Sequence, residues 1–94
     1  MIVIRNTFVA KPGSASKLAA QLKEAAAAAE IPNFRVLTDL TGEFNRVVLE
    51  YEAEDIAGFQ ARMEQYTKGG AFKEKMKGYT DHWLTGKREI FQIV

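Results

Sequence analysis

Apolar, β-branched and aromatic residues concentrate in four stretches of the chain, and two segments with a helical repeat lie between them. The four stretches predict strands, and they cover residues 1–10, about 34–41, 44–53 and 87–94. The intervening segments carry apolar residues every three or four positions, which predicts helices. The order strand, helix, strand, strand, helix, strand is that of a split βαβ sheet. The sequence therefore predicts an α+β, ferredoxin-like βαββαβ protomer, with an antiparallel sheet that carries its helices on one face.

The first helical segment, from about Ala15 to Ala29, has a narrow apolar stripe. Either Ser14 or Ser16 is expected to cap it, because a serine oxygen can accept the free N–H groups of a first turn. The apolar positions lie four, three and four residues apart, at Leu18, Leu22, Ala25 and Ala29.

The second helical segment opens at Glu54-Asp55 and is interrupted at Gly69-Gly70. Before the glycines, its stripe consists of Ile56, Phe59, Met63 and Tyr66. After them, spacings of four, three and four predict a further helical segment, with a stripe of Phe72, Met76, Tyr79 and Trp83. The last strand is expected from Lys87 to Val94.

Both faces of the predicted sheet carry apolar side chains. One face is expected to meet the helices, and it holds Ile2, Ile4, Asn6, Phe8, Asn45, Val47, Leu49 and Tyr51. The other face mixes Val and Thr with Arg and Glu, which is too apolar for a solvated face and too charged for a monomer's core. A homodimer formed through this sheet face explains the mixture, with ion pairs drawn from Arg5, Arg46, Glu50 and Glu52. A monomer with a solvated outer face is the alternative.

Composition narrows the classes of protein that fit. A chain of 94 residues makes one small domain, residues 1–94, and a net charge of +1 without a basic stripe argues against a nucleic-acid partner. The absence of Cys excludes disulfides, zinc–thiolate sites and thiol catalysis. No signal peptide or membrane-spanning run is present, so we expect a cytoplasmic protein with no membrane partner. No cluster of His, Asp and Glu has metal-ligand spacing, so no metal site is predicted.

Two polar side chains are candidates for catalysis. His82 is the only histidine, the residue type that titrates nearest neutrality, and could act as a general base or donate to a ligand carbonyl. The alternative is a surface histidine near the end of a helix. Asn6 is polar on an otherwise apolar strand face, and could orient a ligand oxygen. The alternative is a structural asparagine that satisfies neighbouring hydrogen-bonding groups.

Aromatic side chains supply candidate walls for a ligand pocket. Small-molecule sites are mostly apolar with a few polar groups. The candidate ligand-binding residues are Phe8, Tyr51, Tyr79 and Trp83. The alternative for aromatics at this spacing is ordinary hydrophobic core.

The chain resembles the dimeric α/β-barrel superfamily, and more specifically its NIPSNAP-like and antibiotic-biosynthesis-monooxygenase-like branch. The features that carry the resemblance are the strand that closes on Lys11-Pro12-Gly13, the hairpin residues 42–48, Tyr51 and Phe72. The resemblance implies a homodimer whose two sheets form a barrel, with ligands in a cleft between sheet and helices. It also implies that cofactor-free monooxygenases, haem-degrading enzymes and polyketide cyclases are relatives in fold.

The residues that define two of those activities are replaced here. Haem-degrading members pair an asparagine on the first strand, matched by Asn6, with an iron-ligating histidine, whose position is taken by Met76. The quinone-forming monooxygenases often carry an asparagine and a tryptophan toward the end of strand three, where residues 49–53 have neither. We therefore expect no cofactor.

Two main functions remain open at this stage, with a haem protein as a third and lesser alternative. The first is binding of a small aromatic or polyketide-like molecule in the cleft, with cofactor-independent monooxygenase or cyclase chemistry in the case that the protein is an enzyme. The second is a non-catalytic dimeric structural or interaction module with no ligand, which the lack of a paired acid and base favours.

Overall fold

Four antiparallel strands form one sheet whose single buried face is covered by helices. The computed structural model describes residues 1–94. Its elements are β1 (Ile2–Ala10), α1 (Ala15–Ala28), β2 (Arg35–Thr38), β3 (Arg46–Ala53), α2 (Ile56–Lys68), α3 (Ala71–Lys75) and β4 (Trp83–Gln92), with a 3₁₀ turn at Tyr79–Asp81. The strand order β2-β3-β1-β4 is the ferredoxin-like one. The predicted α+β, ferredoxin-like protomer is confirmed.

The core lies between the sheet and α1, on the face that the alternation of apolar residues predicts. Its sheet side consists mainly of Ile4, Val47, Leu49 and Tyr51, all buried. The helix side is supplied by Leu18, Leu22, Ala25 and Ala26. Small alanines let α1 approach the strands closely, while Ala29 lies just beyond the last helical residue.

The two long helices start differently. Asp55 caps α2, since its Oδ1 accepts a 2.7 Å hydrogen bond from the Gly58 N–H. Ser14 stands at the N-cap of α1 without a side-chain cap bond and Ser16 lies within the helix, so the prediction that one of these serines caps α1 is wrong. Within α2, Phe59 is buried, whereas Ile56, which the predicted stripe included, is mostly exposed because it lies in the first turn, beyond the core.

The predicted hairpin exists, but its strands are shorter than expected. β2 ends at Thr38 and β3 begins at Arg46, so residues 39–45 form a loop. Asn45 has a φ of 65° and Gly42 a φ of 99°, backbone conformations that interrupt a strand and suit these two residue types. Phe44, predicted as a strand residue, is 86% exposed in this loop.

The helical segment predicted to reach Trp83 is wrong beyond Lys75. Gly78 has a φ of 80°, a left-handed conformation that does not continue a helix, and the 3₁₀ turn follows it. Trp83 is the first residue of β4, so the last strand begins there rather than at Lys87. The Tyr79 and Trp83 rings meet across this turn, with centroids 6.0 Å apart. Their four-residue spacing therefore reflects a contact across a turn and not a helical repeat.

Candidate ligand cleft between sheet and helices

An apolar cleft of about 340 Å³ opens between the helix-facing side of the sheet and the α2–α3 region. Nine of its thirteen lining residues are hydrophobic, the composition typical of small-molecule sites. The apolar walls include Phe8, Leu49, Tyr51, Met63, Tyr66, Phe72, Met76 and Tyr79. Tyr66 and Phe72 pack on each other with ring centroids 5.5 Å apart, which links α2 to α3 at the cleft wall.

The structure brings four of the six predicted site residues together. Asn6, Phe8, Tyr51 and Tyr79 all line the cleft. Trp83 does not line it, although it borders a shallow neighbouring groove that also includes Asn6 and Tyr79.

His82 lies outside the cleft lining. Its carbonyl oxygen accepts from the Lys11 N–H and its own N–H donates to Tyr79 O, so its backbone joins the 3₁₀ turn to the end of β1. The side chain is half-buried, and no hydrogen bond to it from the cleft residues is formed.

Sequence reasoning missed Arg88, one of the two cations in the cleft lining. Asn6 and Arg88 stand directly opposite each other on β1 and β4. The Arg88 Nε donates a 2.7 Å hydrogen bond to Asn6 Oδ1, and the guanidinium lies 5.5 Å from the centre of the Phe59 ring. Between Lys87 and Glu89 this arginine looks like one of several solvated charges. Only the strand register places it on the helix-facing side.

Tyr51 supplies a phenol to the cleft. Burial raises the pKa of Tyr51 above its ordinary 10.0, and the nearby positive charge of Arg88 offsets that rise only in part. The hydroxyl therefore stays protonated at neutral pH. Its contact in the chain is the weakly accepting Met63 Sδ at 4.0 Å, so the O–H remains available to a ligand oxygen.

The opposite face of the sheet is uncovered and carries an ion-pair cluster. Glu50 accepts hydrogen bonds from Arg5, at 2.8 Å, and from Arg35, on the strands to either side. Burial by these neighbours would raise the pKa of Glu50, but the hydrogen bonds and charges of Arg35 and Arg5 outweigh it and hold that pKa below 4.5. The Arg5–Glu50 pairing predicted between subunits therefore already exists within one chain.

A wider concavity of about 820 Å³ lies on this open face, beside the loop of residues 39–45. Only four of its fifteen lining residues are hydrophobic, so it lacks the apolar walls of a small-molecule site. Around it, large apolar side chains such as Leu37 and Phe91 are each about two-fifths exposed.

The structure contains neither a metal-binding cluster nor a membrane-spanning helix. No group of three or more His, Cys, Asp or Glu residues is placed to hold a metal ion. None of the helices has the length and apolar character needed to cross a bilayer.

Solved structures with the same fold come from two groups of proteins. An uncharacterised NIPSNAP-like domain protein from Burkholderia xenovorans superposes with a TM-score of 0.85 at 17% identity, over 99% of this chain and 84% of that chain. A NIPSNAP family protein from Agrobacterium tumefaciens gives 0.84 at 12% identity, over 99% of this chain and 85% of that one. An antibiotic biosynthesis monooxygenase gives 0.74 at 14% identity, over 100% and 99% of the two chains.

The comparison identifies the fold of the chain. It has the fold shared by NIPSNAP-like proteins and antibiotic-biosynthesis-monooxygenase-like proteins, as the resemblance of its sequence implied. No protein-family model and no curated protein matches the sequence. At these identities the likeness establishes architecture alone, and the site has to carry any functional argument.

Proposed function

We propose that this protein binds a small aromatic or similarly apolar molecule, such as a polyketide-like compound, in the cleft between its sheet and its helices. The observation that supports this most strongly is the combination of apolar walls with the polar group formed by Asn6, Arg88 and Tyr51. The apolar walls and the few polar groups match the composition that small-molecule sites share.

The proposal includes a homodimer formed through the open sheet face. That face exposes Leu37 and Phe91 around a strip of charged pairs, and no helix of the chain covers it. Because Glu50 is already neutralised by Arg5 and Arg35, burying the face against a second copy would not strand an unpaired carboxylate. A small domain also gains stability from such an interface, since its own core buries a limited share of its surface.

The finer hypothesis is cofactor-independent monooxygenase or cyclase-type chemistry on the bound molecule, with Asn6 orienting a ligand oxygen. The monooxygenase named above supports this only as an analogy of fold. Because His82 does not line the cleft, the geometry supports binding better than catalysis. A catalytic role for His82 stays a prediction.

The binding proposal is tested with a neutral fluorescent reporter, N-phenyl-1-naphthylamine, whose emission rises in apolar sites. Thr67 lines the cleft but is itself exposed on α2, so a Thr67→Trp substitution fills part of the cleft without disturbing the core. Gln65→Trp places the same side chain on the same helix, at an exposed position outside the lining. Both variants are compared with the wild type at equal protein concentration.

We expect wild type and Gln65→Trp to bind the reporter alike and Thr67→Trp to bind it at least about tenfold more weakly, the scale on which 1.4 kcal/mol changes an equilibrium. Absence of any fluorescence change in folded wild type would favour the ligand-free module. Equal binding by all three proteins would place the reporter elsewhere and contradict the cleft.

A further inference from the structure

The four strand arginines of the chain differ in how their charge is neutralised. On the open face, Arg5 and Arg35 pair with Glu50, and Arg46 pairs with Asp39 at 3.7 Å. Arg88 alone points to the helix-facing side, and it forms no salt bridge with any Asp or Glu. Its side-chain partner is the amide oxygen of Asn6, which orients a guanidinium but carries no charge.

The surroundings of Arg88 leave this charge uncompensated. The cleft lining contains a second cation, Lys73, and includes neither Asp nor Glu. The Arg88 side chain is solvent-exposed in the chain as it stands, so its Coulomb attraction for an anion strengthens when the apolar body of a bound ligand excludes water from it. The other neighbour of Arg88 is the face of the Phe59 ring, which fixes the guanidinium plane and adds no negative charge.

Arg88 is held in a geometry that leaves binding groups free. Its Nε is engaged by Asn6, while the terminal nitrogens donate to no other group of the chain. A guanidinium presents paired donors in a rigid fork that matches the two oxygens of a carboxylate. Restriction by Asn6 and Phe59 lowers the entropy lost when a ligand is bound.

We propose that the molecule bound in the cleft is an organic acid: an apolar, aromatic-type body that carries one carboxylate, which Arg88 binds through its terminal nitrogens while Asn6 holds the guanidinium in place. This rests on the proposed function, because it names the class of ligand that the same cleft accepts. In a cleft of about 340 Å³, the body has the size of one or two fused rings with substituents.

The experiment displaces the neutral reporter with two competitors of one shape, 2-naphthoate and 2-naphthamide. They differ in charge and in one terminal atom, so the ratio of their inhibition constants measures preference for the anion. The ratio is determined for wild type, Arg88→Gln and Lys87→Gln. Lys87 is the adjacent residue on β4 and faces the other side of the sheet, so its substitution removes the same charge without touching the cleft lining.

We expect 2-naphthoate to bind wild type and Lys87→Gln at least about tenfold more tightly than 2-naphthamide, as is usual for a hydrogen bond to a charged group. In Arg88→Gln the ratio should fall to within about threefold of one. An Arg88→Lys variant should keep part of the preference, because it retains the charge but loses the paired donors.

Three results separate the two proposals. Reporter binding with equal inhibition by acid and amide would overturn the organic-acid inference and leave the cleft proposal standing. A preference for the acid that survives Arg88→Gln would also overturn it. No reporter binding to wild type removes the cleft proposal itself and the inference with it. The wild-type ratio requires no variant, so the inference stays open to refutation if Arg88→Gln does not fold.

Discussion

Asn6 on β1 and Arg88 on β4 stand opposite each other and are joined by a 2.7 Å hydrogen bond at the edge of the apolar cleft. The bond is side chain to side chain and adds to the backbone ladder of the same strand pair. The bond orients the Arg88 guanidinium, which forms no salt bridge with a carboxylate of the chain. It also gives the buried Asn6 amide a hydrogen-bond partner. The structural and the functional interpretations of Asn6 are therefore compatible.

Asn6→Asp should abolish the preference for an acid while keeping the fold. A carboxylate at this position would form an ion pair with Arg88 and occupy the charge that we assign to the ligand. We expect 2-naphthoate to bind at least about tenfold more weakly than to wild type, with 2-naphthamide changed by less than about twofold. Asn33→Asp, the same change at an exposed position, serves as the control. Undiminished binding of the acid to Asn6→Asp would contradict the role of Arg88.

Asp55→Ala should destabilise the protein more than Ser14→Ala does. Asp55 Oδ1 accepts the Gly58 N–H at 2.7 Å, and loss of such a cap costs about 0.5–2 kcal/mol. Ser14 makes no side-chain cap bond, so its replacement should change stability by less than about 0.5 kcal/mol. Urea unfolding of the three proteins at one concentration measures the difference. A larger effect at Ser14 would show that the caps are assigned the wrong way round.

Gly86→Ala should be destabilising, although Gly86 lies within a strand. A Cβ there would lie 2.8 Å from Thr7 O, closer than real contacts allow, and 3.2 Å from the Trp83 indole nitrogen, tighter than most real contacts. The strands or the indole must shift, and overpacking of this kind typically costs about 1–3 kcal/mol. Thr85→Ala, one residue away on the same strand and exposed, is the control. Wild-type stability for Gly86→Ala would show that β1 and Trp83 can both move away from residue 86 without cost.

Glu50→Gln should lower stability at neutral pH, and the difference from wild type should disappear in acid. The folded pKa of Glu50 lies below its ordinary 4.5, so ionised Glu50 contributes stability above about pH 4.5, and this contribution is lost as pH falls through the lowered value. We expect the variant to lose about 1–3 kcal/mol at pH 7, as for a hydrogen-bonded charged group.

The control for Glu50 is Glu52→Gln, an exposed glutamate on the same strand and face. Unfolding is followed from pH 7 down to about pH 3 at fixed protein concentration, because an oligomer's stability depends on concentration. If the difference in unfolding free energy between wild type and Glu50→Gln stays constant below pH 4, a group other than Glu50 causes the loss of stability.

Leu37→Glu should break the homodimer that we propose, whereas Ile90→Glu should not. The two side chains are equally exposed, at 41% and 39%, and both lie on edge strands. Leu37 faces the open side of the sheet, opposite Val48, while Ile90 lies on the helix-facing side, opposite Ile4. Sedimentation velocity at micromolar concentration distinguishes them. Dissociation by Ile90→Glu alone would place the interface on the other face.

Much of the fold follows from local patterns in the sequence. Alternation along β1 and β3 places Ile4, Val47 and Leu49 on the buried face, and the repeat in α1 identifies Leu18 and Leu22 as core. Local patterns fail where two elements meet at a sharp turn. Tyr79 and Trp83 keep helical spacing, yet Gly78 separates them from α3 and the 3₁₀ turn brings their rings together.

The site is predictable only in part, because its charged member depends on register. Asn6, Phe8 and Tyr51 stand out as polar or aromatic residues on a face already known to be buried. The position of Arg88 in the cleft depends on its pairing with Asn6, which lies 82 residues away in sequence on the neighbouring strand. No short-range sequence pattern predicts that pairing. His82 stands out by its residue type alone, which says nothing about where its side chain lies.

Native mass spectrometry of the protein with added 2-naphthoate, for wild type and Thr67→Trp side by side, tests the ligand cleft most directly. We predict a wild-type dimer that carries up to two molecules of the acid, and a Thr67→Trp dimer that carries none. A wild-type protein that remains bare at millimolar acid would contradict the organic-acid inference, and one that retains the acid equally in both forms would contradict a ligand site in the cleft between sheet and helices.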